Sequence, residues 1–131
     1  MALKNIAIAK KCVTFPVYRG DVFYYDFGEQ EGSLQSGLRP VIVVQNNKGN
    51  KYSTTVLISP ITSKVKLKYQ PTHVYLTPDC ADFVYGNLMK ESTILFEQIF
   101  TVEKSDLQDK ICSINLDRYI FKRALKTSVG L

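Results

Sequence analysis

A chain of 131 residues with 45% hydrophobic content has room for one domain with a real core and little room for a second. No apolar run approaches the roughly 20 residues needed to span a bilayer, and the opening MALKNIAIAKKC is too broken by lysines for a secretory signal, so no membrane is expected and the compartment is read as the cytoplasm. The net charge of +5 is unevenly spread: residues 32–78 hold no Asp or Glu but carry Arg39, Lys48, Lys51, Lys64, Lys66 and Lys68, which is +6 and leaves −1 for the rest.

Along the chain, residues 1–18 read as an N-terminal extension and residues 19–131 as a single domain. The aromatic run DVFYYDF, residues 21–27, predicts a strand. Residues 28–38 form a polar, glycine-containing loop, long for a hairpin and therefore a candidate functional loop. PVIVVQ, residues 40–45, is aliphatic on both faces and reads as a central strand, with its proline tolerable in first place. NNKGNKY has turn chemistry, since Asn and Gly accept positive φ. STTVLISPIT, residues 53–62, resumes the β pattern, with Pro60 bending or ending the strand.

SKVKLKYQ alternates lysine with apolar residues and would, if extended, set Lys64, Lys66 and Lys68 on one face. THVYL and STILFEQIF predict two more strands, and the second carries Glu97 and Gln98 among apolar neighbours, where polar groups need a reason. Ser105 is read as the cap of a short helix through about Ile111. A second helix starts near Asn115, with Leu116, Ile120, Ala124 and Ser128 at spacing four, Phe121 and Leu125 beside them and Gly130 as its stop. The fold class is mainly β with α: a small, strongly bent sheet or open barrel with C-terminal helices packed on it.

Lysines interleaved with Tyr52 and Tyr69 in an acid-free block suit a polyanion, with cations for phosphates and flat rings for bases. The bland alternative is a solvated edge whose lysines deter aggregation. One histidine, His73, falls short of a two-histidine acid and base pair and reads as structural or surface. Cys12, Cys80 and Cys112 are far apart and lack CxxC pairing, which argues for reduced thiols over a disulfide framework or zinc site. No phosphate-cradling glycine motif is present in the sequence.

The blocks RGDVFYYDF, GSLQSGLRPVIVVQNNKGNKYSTTVLISPITS, PTHVYL and STILFEQIFTVEKSDL resemble, in order and spacing, the MazF/PemK toxins of bacterial type II toxin–antitoxin systems, from Arg19 to the carboxyl end. The resemblance implies a homodimer of SH3-like barrels with the PemK/CcdB-type fold. It implies an endoribonuclease, an mRNA interferase that needs neither metal nor cofactor and cuts single-stranded mRNA at short sequences. A cognate antitoxin would inhibit it by laying a disordered tail over the RNA groove. The family's catalytic arginine falls on Arg39 in "RP" and its catalytic threonine on Thr62 in "IT". Implied RNA contacts are Ser33 and Gln35 in the loop, Asn46 after the central strand, Lys64, and Gln98 in "EQ"; loop capping for Ser33 and Gln35 and a satisfied strand-end amide for Asn46 are the structural alternatives.

The implied reaction is attack of a ribose 2′-hydroxyl on the adjacent phosphate, giving a 2′,3′-cyclic phosphate and a 5′-hydroxyl. Arginine keeps its proton, so charge stabilisation of the phosphorane is favoured over proton shuttling for Arg39. Two positions depart from many relatives: Leu34 stands where an acid is common and Phe100 where an arginine is common. Two other readings are a CcdB-like gyrase poison and a catalytically idle RNA-binding barrel. The first is disfavoured because such toxins act through a tryptophan-bearing carboxyl end, and this chain has no Trp and ends SVGL. The second would bind RNA with steep salt dependence and leave it intact.

Overall fold

The computed structural model describes residues 16–32, 35–63, 69–80, 83–84 and 90–131. Alternating aromatic and aliphatic residues give β1, Asp21–Asp26, and the aliphatic run gives β2, Leu38–Val43. Then come α1, Asn47–Tyr52, and β3, Thr55–Thr62. They are followed by β4, His73–Leu76; β5, Phe83–Val84; and β6, Ser92–Leu95. The chain ends with β7, Phe100–Glu103; β8, Lys110–Ser113; and α2, Tyr119–Ser128. The strands form one antiparallel sheet in the order β4-β6-β3-β2-β1-β8-β5, with β7 also paired to β3. This mainly β, curled architecture with a C-terminal helix is the expected fold class.

Several expectations change in detail. NNKGNKY forms a short helix, because the Asn46 side chain accepts from Gly49 N at 2.8 Å and its carbonyl accepts from Asn50 N at 3.0 Å. Pro60 neither ends β3 nor disrupts it. One edge of β3 pairs with β7 from Thr55 to Ile58 and with β6 at Ile61 and Thr62. Pro60 lies in the gap between those partners, where a missing N–H costs that edge nothing.

STILFEQIF is two strands rather than one, split by a turn in which Gln98 N donates to Leu95 O at 3.1 Å. That turn is the reason for Glu97 and Gln98: both are placed where the ladder stops. The short helix expected through Ile111 is only a 3₁₀ turn, Lys104–Asp106, and Lys110–Ser113 is a strand paired with β1. There the tertiary pairing of Ile111 and Cys112 outweighs a local cap signal.

Two hydrophobic clusters lie on opposite faces of the sheet. On one, Val22, Ile42, Ile61, Val74, Ile94 and Phe96 are covered by Phe121 and Ala124 of α2. On the other, Phe23, Val41, Val43, Val56, Ile58, Val102 and Leu107 pack together, with Val17 from the segment before β1. Helix α2 buries Phe121 and Ala124 with Leu125 beside them, as expected, while Ile120 is 50% exposed and so lies at the edge of the inward face instead of within it.

Two features fix the start of β1. Asp21, almost fully buried, accepts from Tyr18 N and Ser113 Oγ and pairs with Lys110 Nζ at 3.1 Å. Gly20 adopts φ +95°, and a Cβ there would lie 2.0 Å from Ile114 O, so only glycine fits between the strands. Cys112 is a free, buried thiol, and burial pushes its pKa up to about 11; Cys12 lies outside the described residues.

Candidate active site on the sheet

The antiparallel registers set five residues in one row across five strands. Tyr25 of β1 faces Arg39 of β2. The β2–β3 ladder runs Val43–Ile58, Ile42–Ser59, Val41–Pro60, and two residues further along each strand stand Arg39 and Thr62. Thr62 faces Thr93 of β6, and Thr93 faces Tyr75 of β4. Residues opposed across antiparallel strands share a face. Their neighbours Ile61, Ile94 and Val74 point into the core beneath α2, so Thr62, Thr93 and Tyr75 point the other way. With strands about 4.8 Å apart, Tyr25 to Tyr75 spans about 19 Å.

Within that row the side chains differ sharply in access. Thr62 and Thr93 are 2% and 3% exposed, Arg39 is half-buried, and Tyr75 is 48% exposed. The row lies at the sheet end where the 28–37 loop leaves β1 and returns to β2. Its neck is closed by Phe27 N to Gly37 O at 3.0 Å and Gly37 N to Gly28 O at 2.8 Å, with Gly37 at φ +75°. This closed neck holds Ser36 in place, and the Ser36 carbonyl accepts from Arg39 Nε at 3.0 Å.

That single bond orients the guanidinium. Among the described residues no carboxylate pairs with Arg39, and its bond to Ser36 uses Nε, leaving the Nη donors to a ligand. Acids do stand nearby in space: an open hollow of about 740 Å³ under the loop is lined by Asp26, Glu29 and Glu31. An anion approaching Arg39 is therefore favoured along the sheet face, away from that hollow.

Of the other residues expected at the site, Gln35 is half-buried in the loop next to Ser36. Ser33, Leu34, Lys64, Lys66 and Lys68 lie outside the described residues. Asn46 stands beyond the other end of β2, where its Oδ1 caps α1, and the sheet does not bring it to Arg39 within one chain. Gln98 sits in the turn after β6. Beside it Glu97 accepts from Thr72 Oγ1 at 3.1 Å and contacts His73 Nε2 at 2.9 Å, which gives His73 a structural partner.

The positive block is likewise divided, since Lys48 and Lys51 belong to α1 at the end remote from Arg39. Phe100, at the position where an arginine is common, packs its ring against Phe27 with centroids 5.1 Å apart. Sequence reasoning missed Tyr25, Thr93 and Tyr75. Alternation in THVYL and STIL marks Tyr75 and Thr93 as opposite in face to Val74 and Ile94, but only the registers place them beside Thr62.

The curled antiparallel sheet with its C-terminal helix is the fold that comparison with known proteins also finds. Residues 18–127 match the family described as PemK-like, MazF-like toxin of type II toxin-antitoxin system, and the chain belongs to that family. It is 39% identical over 116 residues to Endoribonuclease MazF of Staphylococcus epidermidis, covering 88% of this chain and 92% of that protein. Within the family it thus stands with the MazF endoribonucleases.

Among solved structures, an endoribonuclease from Mycobacterial species superposes with TM-score 0.68 at 21% identity, covering 89% of this chain and 94% of that one. An endoribonuclease in complex with its cognate antitoxin, also from Mycobacterial species, gives TM-score 0.68 at 22% identity over 88% and 96% of the two chains. At those identities the likeness is one of fold.

Proposed function

We propose that this chain is a toxin that cuts single-stranded mRNA at short sequences, by attack of a ribose 2′-hydroxyl on the neighbouring phosphate, without a metal ion. The observation that carries the reading is the meeting of Arg39 and Thr62 at one end of adjacent strands, with the Arg39 fork held by Ser36 and unpaired with any carboxylate among the described residues. As the 2′-oxygen attacks, negative charge gathers on the pentavalent phosphorane. A planar guanidinium preset beside it binds two of its oxygens better in the transition state than in the ground state. The Thr62 hydroxyl contributes a further donor.

The products are a 2′,3′-cyclic phosphate and a 5′-hydroxyl. Gln35 and Ser33 in the loop, with Asn46, Lys64 and Gln98, are assigned to contacts with the strand; because Asn46 lies at the far end of β2, its contact falls well along the RNA or on a second protomer. A homodimer supplies that protomer, and a cognate antitoxin silences the enzyme by covering the same face. The protein works in the cytoplasm; no helix among the described residues is long and apolar enough to cross a membrane.

The test is cleavage of a long single-stranded RNA in EDTA by wild type, Arg39→Ala and Thr62→Ala. Loss of one preorganised donor is expected to lower kcat about 100- to 1,000-fold for Arg39→Ala, with the fold intact by circular dichroism. Undiminished cutting by Arg39→Ala sinks the assignment. RNA bound yet left whole by wild type would favour the idle RNA-binding barrel.

A further inference from the structure

We propose that Tyr75 is a stacking platform for one unpaired base of the RNA strand, lying in the same row as the Arg39–Thr62 centre. The proposal rests on the endoribonuclease reading for its ligand and on the sheet registers for its position. Tyr75 is reached from Thr62 through Thr93, strand by strand, on the face turned away from α2. Thr93 between them is small and almost fully buried, and at its far side the Tyr75 ring is 48% exposed.

Access and position distinguish Tyr75 from Tyr25 and Tyr52. Tyr25, at the opposite end of the row, is committed to packing: its ring meets Phe27 edge-on at 4.9 Å and 78° and lies against the core. Tyr52 is exposed but belongs to α1, at the other end of the sheet, with Lys51 Nζ 5.4 Å from its ring centroid. Tyr75 alone of the three combines an accessible ring with a place in the row.

Desolvation, and after it the Glu91 carboxylate, raise the pKa of its phenol, so Glu91 stands at the hydroxyl end of the ring. The carboxylate also repels phosphate from that end, so the strand presents a base there and keeps its backbone toward Arg39. Every base offers a π-face, so such a platform binds tightly without reading sequence by itself.

Fluorescein-labelled short RNA strands of randomised sequence with 2′-O-methyl riboses, which lack the attacking hydroxyl, provide the probe, and binding to wild type, Tyr75→Phe and Tyr75→Ala is followed by anisotropy. Loss of one base stack is expected to weaken Tyr75→Ala about ten- to a hundred-fold, while Tyr75→Phe stays within about twofold. An abasic strand of the same length should bind all three alike. Equal binding of intact strands by wild type and Tyr75→Ala overturns the proposal, as does an equal loss in Tyr75→Phe, which would assign the effect to the Glu91 contact. Unmodified RNA left uncut by wild type, with Tyr75-dependent binding preserved, refutes the nuclease reading and leaves the platform standing.

Discussion

Arg39 and Thr62 stand at the same end of adjacent antiparallel strands, two residues beyond the Val41–Pro60 pair that closes their ladder. The ladder stops before it pairs them, and one further two-residue step of the same register carries both to the same end of the sheet. Arg39 is further held by the carbonyl of Ser36 in the loop it terminates. Lysine in its place keeps the charge but loses both the Nε bond and the planar fork. Arg39→Lys is therefore expected to lose about 10- to 100-fold in kcat/KM, the value of one charge-assisted hydrogen bond, with an unchanged melting temperature. Full activity in steady-state cleavage assays would show that charge alone suffices.

The approach of Gly20 to β8 gives a stability prediction independent of function. Its φ of +95° and the 2.0 Å clash of any Cβ with Ile114 O combine conformational strain with steric displacement. Gly20→Ala is expected to cost at least about 2 kcal/mol in urea unfolding, whereas a loss below half of that would mean the backbone yields there.

Helix α2 provides a paired test of its rotational setting. Phe121 is 3% exposed and Ile120 is 50% exposed. Phe121→Ala should destabilise by about 3 to 5 kcal/mol, and Ile120→Ala by about 0.5 kcal/mol or less in the monomeric fold. Equal losses would mean that Ile120 too is covered in solution, by a second copy.

Burial, with Asp21 adding to it, holds the Cys112 pKa at about 11, above the value of an unfolded thiol. A raised folded-state pKa means that the unfolded chain releases its proton first. Stability is complete below the unfolded value near 9 and is lost as pH rises toward about 11. Wild type should therefore lose more stability than Cys112→Ala between those limits in denaturant titrations, since the other titrating groups cancel in the comparison. Parallel curves for the two proteins would contradict a buried, neutral thiol.

The strands were legible wherever residues alternate or run aliphatic, as in DVFYYDF and PVIVVQ, because burial on one or both faces leaves that imprint. Pro60 and the EQ turn were not, since both depend on where β3 exchanges β7 for β6 as its neighbour, a tertiary event. The helix expected through Ile111 failed for the same reason: β1 recruits that segment as a strand. At the site, Arg39 and Thr62 were marked by their motifs, and the structure sets them at the same end of adjacent strands. Thr93 and Tyr75 carry no local mark, because what selects them is register across three strands. Asn46 was read as a turn residue with a satisfied strand-end amide as the alternative to RNA contact, and the structure uses its Oδ1 to cap α1, a role that depends on the helix forming there.

The most direct test of the central claim is the chemistry of the ends left on single-stranded RNA cut by the purified protein in EDTA. The account predicts a 2′,3′-cyclic phosphate on one fragment and a 5′-hydroxyl on the other, with no cut at a nucleotide whose 2′-hydroxyl is replaced by hydrogen. Fragments carrying a 5′-phosphate and a 3′-hydroxyl, or cutting that ignores the missing 2′-hydroxyl, would contradict it.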